Sequence, residues 1–239
     1  MRVELQPAYI LHTRPFSDTS LILDCLTEQY GRLSLLAKGA RSPKSRQRQM
    51  CQPFRSLLVS WQGRSNLKTL VDIEAQSPQP FNLVGRFLYS GFYLNELIVR
   101  ALREGDACPE IYQRYRLALM QLDSQAELEP LLRELELGLV ADLGYGIDLR
   151  HDATTSAPLE PDSWYRLVAE QGLVYVPAEA GGDSFLGRHL LAVASADYSD
   201  VEALRQAKRL TRLLLKPIVG DKPLKSRELF VTRKGREGR

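Results

Sequence analysis

The sequence predicts an α+β protein of more than one domain: a small β-barrel first, then a mostly helical region interrupted by one β-hairpin. Three observations predict it. Residues 1–80 hold about five short apolar runs separated by turn-forming clusters. From residue 81 the apolar spacing changes to the helical period. Near residue 164 two short strand-like runs return before helices resume.

The five runs cover 8–13, 21–27, 32–38, 54–61 and 67–75, and are rich in Leu, Ile, Val and aromatic residues. Pro15-Phe16-Ser17-Asp18, Tyr30-Gly31 and Gln62-Gly63-Arg64-Ser65-Asn66 separate them. So many short strands with no long helix between them suit a closed barrel of the SH3-like or OB type. Periodicity does not choose between the two. After Pro78-Gln79-Pro80, residues 83–103 carry Phe87, Leu88, Phe92, Leu94, Leu97 and Ile98 on a broad apolar face. Helical patterning continues at 111–123 and 129–143, with Gly144 placed as the C-terminal cap. Short connections predict that 81–146 pack as an antiparallel bundle. Residues 164–169 and 173–177 read as a hairpin about Glu170-Gln171-Gly172. Helices follow at 186–193 and 200–216, the latter stopped by Pro217 and Gly220. Residues 231–239 are basic, lack apolar periodicity and read as a frayed tail.

Charge is distributed unevenly. Residues 1–80 hold 11 Lys/Arg and 6 Asp/Glu, a net of +5. Residues 81–202 hold 9 and 20, a net of −11, and residues 203–239 hold 12 and 3, a net of +9. Basic ends around an acidic middle point to a polyanion partner and a different task in the centre. Between Arg32 and Val71 there are nine Lys/Arg and no acid. Five of them, Lys38, Arg41, Lys44, Arg46 and Arg48, share a segment with Gly39, Ser42, Pro43 and Ser45. A flexible basic loop on a barrel suits sequence-independent contact with phosphates, with Arg14, Arg32, Arg64 and Lys68 in support. Tyr9, Phe16, Tyr30, Phe54 and Trp61 are interleaved with this charge. Each alone is better read as a core residue, because a small barrel needs large side chains inside.

A second cluster lies on the last long helix. Arg205, Lys208, Arg209, Arg212 and Lys216 project onto an arc of about 100°, with Leu204, Ala207, Leu210 and Leu214 opposite and Leu213 and Leu215 at the borders. Lys222, Lys225 and Arg227 extend it. Such a stripe suits nucleic acid or an acidic peptide tail.

Motifs for covalent chemistry are missing. Gly39–Ser45 and Gly220–Ser226 imitate phosphate loops but lack the glycine before the Lys and contain a Pro. Gly144-Tyr145-Gly146 follows a helix and reads as its cap, not as a dinucleotide fingerprint. His12, His151 and His189 stand apart from other ligand residues, so no metal and no cofactor is expected. Glu127 with Glu129 and Glu134 with Glu136 are spaced as a solvated helix face, not as an acid–base pair. Cys25, Cys51 and Cys108 are too few and too scattered for a disulfide framework. With no apolar run of spanning length and no secretory h-region, a cytoplasmic, membrane-free protein is expected.

Several segments, taken together, resemble the bacterial recombination mediator family RecO. They are residues 8–21, the run Leu36-Ala37-Lys38-Gly39-Ala40-Arg41-Ser42, residues 88–97, Leu143-Gly144-Tyr145-Gly146 and residues 222–230. They fall in the family's order over nearly the whole chain. The resemblance implies an OB-type DNA-binding domain at 1–80 and a helical domain at 81–239. The latter would carry a zinc-ribbon-like hairpin insertion at about 149–178 and a basic C-terminal helix and tail. It further implies a non-enzymatic mediator near the nucleoid that binds single- and double-stranded DNA, anneals complementary strands and works with RecR. Such a protein contacts the acidic tail of single-strand-binding protein and indirectly serves RecA. Many members hold a metal with two Cys-x-x-Cys pairs. Residues 149–176 here contain no cysteine, so the hairpin is expected to hold by packing around Trp164, Tyr165 and Tyr175. Two readings from other classes remain: a metal-dependent nuclease using carboxylates of the acidic middle, and a scaffold whose basic loop binds an acidic protein.

Overall fold

A computed structural model describes residues 1–234, apart from the side chains of Arg46 and of residues 231–234. The chain forms two compact units. The first comprises Met1–Ala126 and Lys222–Arg239, and the second Glu127–Asp221.

The first unit is built on a closed barrel. Its strands are β1 (Arg2–Phe16), β2 (Ser20–Thr27), β3 (Gly31–Ala37), β4 (Leu57–Gln62) and β5 (Leu67–Ala75), in the order β1-β2-β3-β5-β4. β3 and β5 pair in parallel and the other pairs are antiparallel, which is the OB-type arrangement and resolves the choice left by periodicity. Alternation fills the interior: Leu23, Cys25, Leu33, Leu35, Leu57, Val59 and Trp61 all point inward and are buried. Each fully buried aliphatic contributes about 1.5–3 kcal/mol. Burial pushes the Cys25 thiol up and the Cys51 thiol to about 11, so both are packed, unreactive residues.

β1 is far longer than its apolar run. Register shifts at Val3/Gln6 and Ile10/His12 bend it, so residues 2–8 pair with β4 and residues 8–16 with β2. β4 starts later than its apolar run, because Phe54 turns away at φ +61° to meet Phe92, ring centroids 5.1 Å apart. α1 (Gly85–Ala101) and α2 (Pro109–Asp123) lie against the barrel. Asn95 of α1 donates to the Leu11 carbonyl at 2.8 Å and accepts from the Tyr115 hydroxyl of α2 at 2.6 Å. Tyr9 of β1 completes this contact with Tyr112 and Tyr115, at 5.4 and 5.2 Å. Gly31 is needed where the α1–α2 loop closes on β3: a Cβ there would sit 1.7 Å from the Asp106 carbonyl oxygen. The unit ends with α6 (Ser226–Lys234), packed on α1. Residues 231–234 thus continue a helix where a frayed tail was expected, and 235–239 lie outside the described residues.

The second unit contains α3 (Leu128–Asp142), the strands β6 (Trp164–Val168), β7 (Gly172–Val176) and β8 (Ser184–Leu186), and the helices α4 (Gly187–Ala194) and α5 (Val201–Val219). The expected bundle over 81–146 does not form: α1 and α2 serve the barrel, and α3 packs on α5. Gly144 at φ +82° caps α3, with its N–H on Ala141 and that of Tyr145 on Val140. The hairpin gains a third strand, giving the order β7-β6-β8. Its packing differs from expectation as well. Tyr165, Leu173 and Phe185 are buried, Trp164 is half-buried, and Tyr175 is exposed. α5 starts at Asp200, whose carboxylate accepts from the Glu202 N–H at 2.9 Å. It runs through Pro217 to Val219, so Gly220 ends it, not the proline. Leu215 is buried, not at the border of the stripe. A buried Arg133–Glu136 pair at 2.9 Å, with Thr211 donating to Glu136, joins α3 to α5.

Candidate nucleic-acid interface

The basic segment connects β3 to β4. Gly39 turns the chain at φ +71°, and a 3-10 turn follows at Arg46–Gln49. Ala40 and Cys51 sink into the barrel core at the two ends. The Arg41 N–H donates to Thr19 at 2.8 Å, and its guanidinium to the Ser17 carbonyl at 3.1 Å, tying the segment to the β1–β2 turn. The loop is therefore more structured than its composition suggests, with its cations held outward. Lys38, Arg41, Lys44 and Arg48 are exposed, and the Arg46 side chain lies outside the described set.

The supporting cations divide. Arg14 and Arg64 are exposed. Lys68 is half-buried, its ammonium 3.4 and 3.5 Å from the Ser65 and Asn66 carbonyls. Arg32 serves the fold: its guanidinium donates to Leu102 at 3.0 Å and lies 3.7 Å from Glu104. Strand register brings the others into one region. Leu36 pairs with Ile22 on one side and Thr69 on the other, and Ile22 pairs with Arg14. Arg14 thus lies two strands from the approach to Lys38, with β2 between them, and the start of β5 is one strand further on, at about 4.8 Å per strand.

Of the interleaved aromatics, Tyr9, Phe54 and Trp61 are buried and Tyr30 packs edge-on against Trp61 at 5.2 Å. Phe16 is the exception, 44% exposed beside the β1–β2 turn. A flat ring open to solvent next to cations offers a surface for base stacking.

The stripe on α5 is less uniform than its spacing suggests. Lys208 pairs with Glu129 at 3.1 Å. Arg209 is half-buried over the Phe185 ring, 4.3 Å from its centroid, and donates to the Ser184 carbonyl. Burial lowers the pKa of its guanidinium. Arg205, Arg212 and Lys216 stay exposed, Arg205 3.5 Å from Glu202 and Lys216 4.0 Å from Asp221. Leu213, Leu214, Pro217 and Ile218 of the same helix line a hollow of about 720 Å³ with Leu167 and Leu173, and Asp148, Glu170 and Asp183 also face it.

The largest departure from the linear reading is the destination of the C-terminal segment. Arg100 donates to the Lys222 and Pro223 carbonyls, and Glu96 accepts from the Lys225 and Ser226 N–H groups and the Ser226 hydroxyl. Burial opposes ionisation of Glu96, but these donors and Arg100 prevail and hold its pKa low. This clasp returns a basic segment to the barrel. The first unit then carries 23 Lys/Arg and 13 Asp/Glu, a net of +10, and the second 9 and 16, a net of −7. Glu96 and Arg100 were missed in the sequence, where their only sign is a charged pair one turn apart on an otherwise apolar helix. Among the described residues no group of three His, Cys, Asp or Glu could hold a metal ion, and no helix is long and apolar enough to cross a membrane.

Comparison with known proteins agrees with this architecture. Residues 1–91 match the family model for the recombination protein O N terminal region, and residues 85–228 that for its C terminal region. A DNA repair protein RecO of Cellvibrio japonicus is 48% identical over 231 residues, covering 96% of this chain and 98% of the relative. Proteins of the same name from Vibrio cholerae and Haemophilus influenzae are 44% and 43% identical, over 95% and 96% of this chain and 93% and 97% of their own. A match that spans both units at this identity leaves one conclusion: the chain belongs to the RecO family.

Proposed function

We propose that this chain is a non-enzymatic DNA-binding recombination mediator that acts in DNA repair. It binds single- and double-stranded DNA and anneals complementary strands. With RecR it helps RecA replace single-strand-binding protein on single strands in the bacterial cytoplasm. The observation that carries this reading is the joining of the basic N-terminal block and residues 222–239 in one unit of net charge +10 built on an OB-type barrel. Phosphates are engaged by Lys38, Arg41, Lys44, Arg46 and Arg48, with Arg14, Arg64 and Lys68 beside them. The relatives are named as DNA repair proteins, which supports the same assignment.

On the second unit, Arg205, Arg212 and Lys216 are exposed on α5. This stripe of accessible cations supports binding of the acidic tail of single-strand-binding protein. Annealing of complementary oligonucleotides, with and without single-strand-binding protein and with Mg²⁺ present, tests the whole reading. Faster annealing with both strands intact is expected. Strand cleavage would establish a nuclease instead, and no DNA binding at low salt would leave only a protein scaffold.

A further inference from the structure

The barrel has an opening that the basic loop does not use. Beyond Ala8, β1 pairs with β2 alone, because β4 pairs only with residues 2–8. Alongside this one-sided stretch a groove of about 470 Å³ runs between β1, α1 and α6. Leu11, Phe92, Val99 and Leu229 form its walls, and His12 and Lys225 stand at its rim. Its deeper polar groups are already satisfied. Asn95 bonds Leu11 and Tyr115, while Glu96 and Arg100 hold residues 222–226. The N–H groups of Lys225 and Ser226 donate to Glu96 and those of Arg227 and Glu228 to the Leu224 and Lys225 carbonyls, so the start of α6 offers no anion site. What remains is an apolar slot with the Lys225 ammonium and the His12 imidazole at its mouth, the latter 3.6 Å from the Asp24 carboxylate.

We propose that this groove receives an unstacked nucleobase of a single strand whose backbone continues to the basic loop. This rests on the DNA-binding function proposed above and names a contact within it. His12, Arg14 and Phe16 are all exposed and alternate along β1, so they share its outer face over about 13 Å. The Arg41 contact with Ser17 joins the far end of that face to the basic loop. The groove is thus joined, through Arg14 and the exposed Phe16 ring, to the basic loop. A polymer with an anion at every repeat and a flat apolar group on each unit matches the whole surface. A short acidic peptide could fill only the groove. In a duplex the bases are stacked and paired, so entry is restricted to single strands.

An oligothymidine containing one 4-thiothymidine, irradiated in complex with the full chain and mapped by mass spectrometry, tests the idea. Cross-links at 11–12 or 225–229 are expected with the single strand and not with a duplex of equal length. Lys225→Glu and Leu229→Ser alter exposed positions of the groove. Each should weaken single-strand binding about tenfold while duplex binding changes far less. Normal single-strand binding with cross-links confined to 38–48, or full affinity in both variants, would overturn the groove and leave the mediator reading standing. Cross-link-free oligonucleotide binding together with Lys225-dependent capture of an Asp-rich peptide would make the occupant a peptide and also overturn it. A wild-type chain that binds no DNA at all would defeat both proposals.

Discussion

Asp152 ties the loop before the hairpin to its edge strand. It is buried, and one carboxylate oxygen accepts from the N–H groups of Thr154 and Thr155, both at 2.8 Å, and from the Thr155 hydroxyl at 3.1 Å. The other accepts from the Tyr175 N–H at 2.6 Å, so the residue staples the turn before β6 to the edge of β7. Ala153 adds a backbone bond to Leu173 at 2.7 Å. The sequence excluded a four-cysteine site but assigned the stabilising role to Trp164, Tyr165 and Tyr175. Of these only Tyr165 is buried, its hydroxyl accepting from the Glu160 N–H at 2.8 Å. Asp152 escaped notice because a single aspartate in a polar, turn-rich stretch looks like any loop residue. Its partner Tyr175 is more than twenty positions away, and no periodicity links them. Burial disfavours its charge, but the donors from Thr155, Tyr175 and Thr154 outweigh this and lower its pKa. A carboxylate depressed in the fold stabilises at all pH values above the unfolded value, about 3.9. That contribution is lost as pH falls through the lower folded value. Asp152→Asn should therefore raise the hydrogen-exchange rates of the Thr154, Thr155 and Tyr175 amides at neutral pH. The expected cost is about 1.5–3 kcal/mol, the range for a hydrogen bond to a charged group. The wild type should converge on the variant only as pH falls below the depressed folded value. Equal exchange rates at pH 7 would show that the hairpin does not depend on this residue.

At the scale of elements, strands were legible where an apolar run ended at turn-forming residues. β2 and β3 are buried along most of their length, and β2, β3 and β5 fall within a residue of their apolar runs. β1 was read short because its bulges at Val3/Gln6 and Ile10/His12 break the alternation that reveals a strand. β8 is only three residues long, Ser184–Leu186, too short to show any period. The α5 stripe illustrates the opposite error. Five cations on one arc look equivalent in projection, yet Lys208 faces Glu129 and Arg209 faces Phe185. Neither partner is near in sequence. The distinction changes the experiment on this helix. Arg212→Glu with Lys216→Glu should abolish binding of the tail peptide of single-strand-binding protein while annealing of naked DNA largely survives. Arg209→Glu should instead loosen the sheet, because it places a carboxylate against the Ser184 carbonyl and the Phe185 ring. Thermal denaturation separates the two, with a lowered Tm for Arg209→Glu alone. Retained peptide binding with lost annealing in the Arg212/Lys216 variant would move this helix to the DNA surface.

At the scale of the whole chain, the sequence shows three charge blocks and the fold makes two. Residues 203–239 look like one basic unit in the sequence. The chain divides them at Asp221/Lys222, leaving α5 in the acidic unit and returning the rest to the barrel. Nothing in local composition marks that division. It depends on Glu96 and Arg100, more than a hundred residues upstream, whose side chains grip the backbone of 222–226. The consequence for binding is electrostatic. The barrel unit's field is a sum of dispersed cations, and the basic loop supplies five of them without any acid of its own. Changing Lys38, Arg41, Lys44, Arg46 and Arg48 to Ala halves that unit's net charge, from +10 to +5. Folding should be spared, since Ala40, Cys51 and the Arg41 N–H still fix the loop and only the exposed Arg41 guanidinium bond to Ser17 is lost. DNA affinity should fall alike for all sequences, because phosphates carry no sequence information. The slope of log K against log salt should shrink by about 0.7–0.9 for each phosphate that the variant no longer neutralises. A slope that stays at the wild-type value, with affinity unchanged, would place the DNA elsewhere on the barrel unit and remove the loop from the interface.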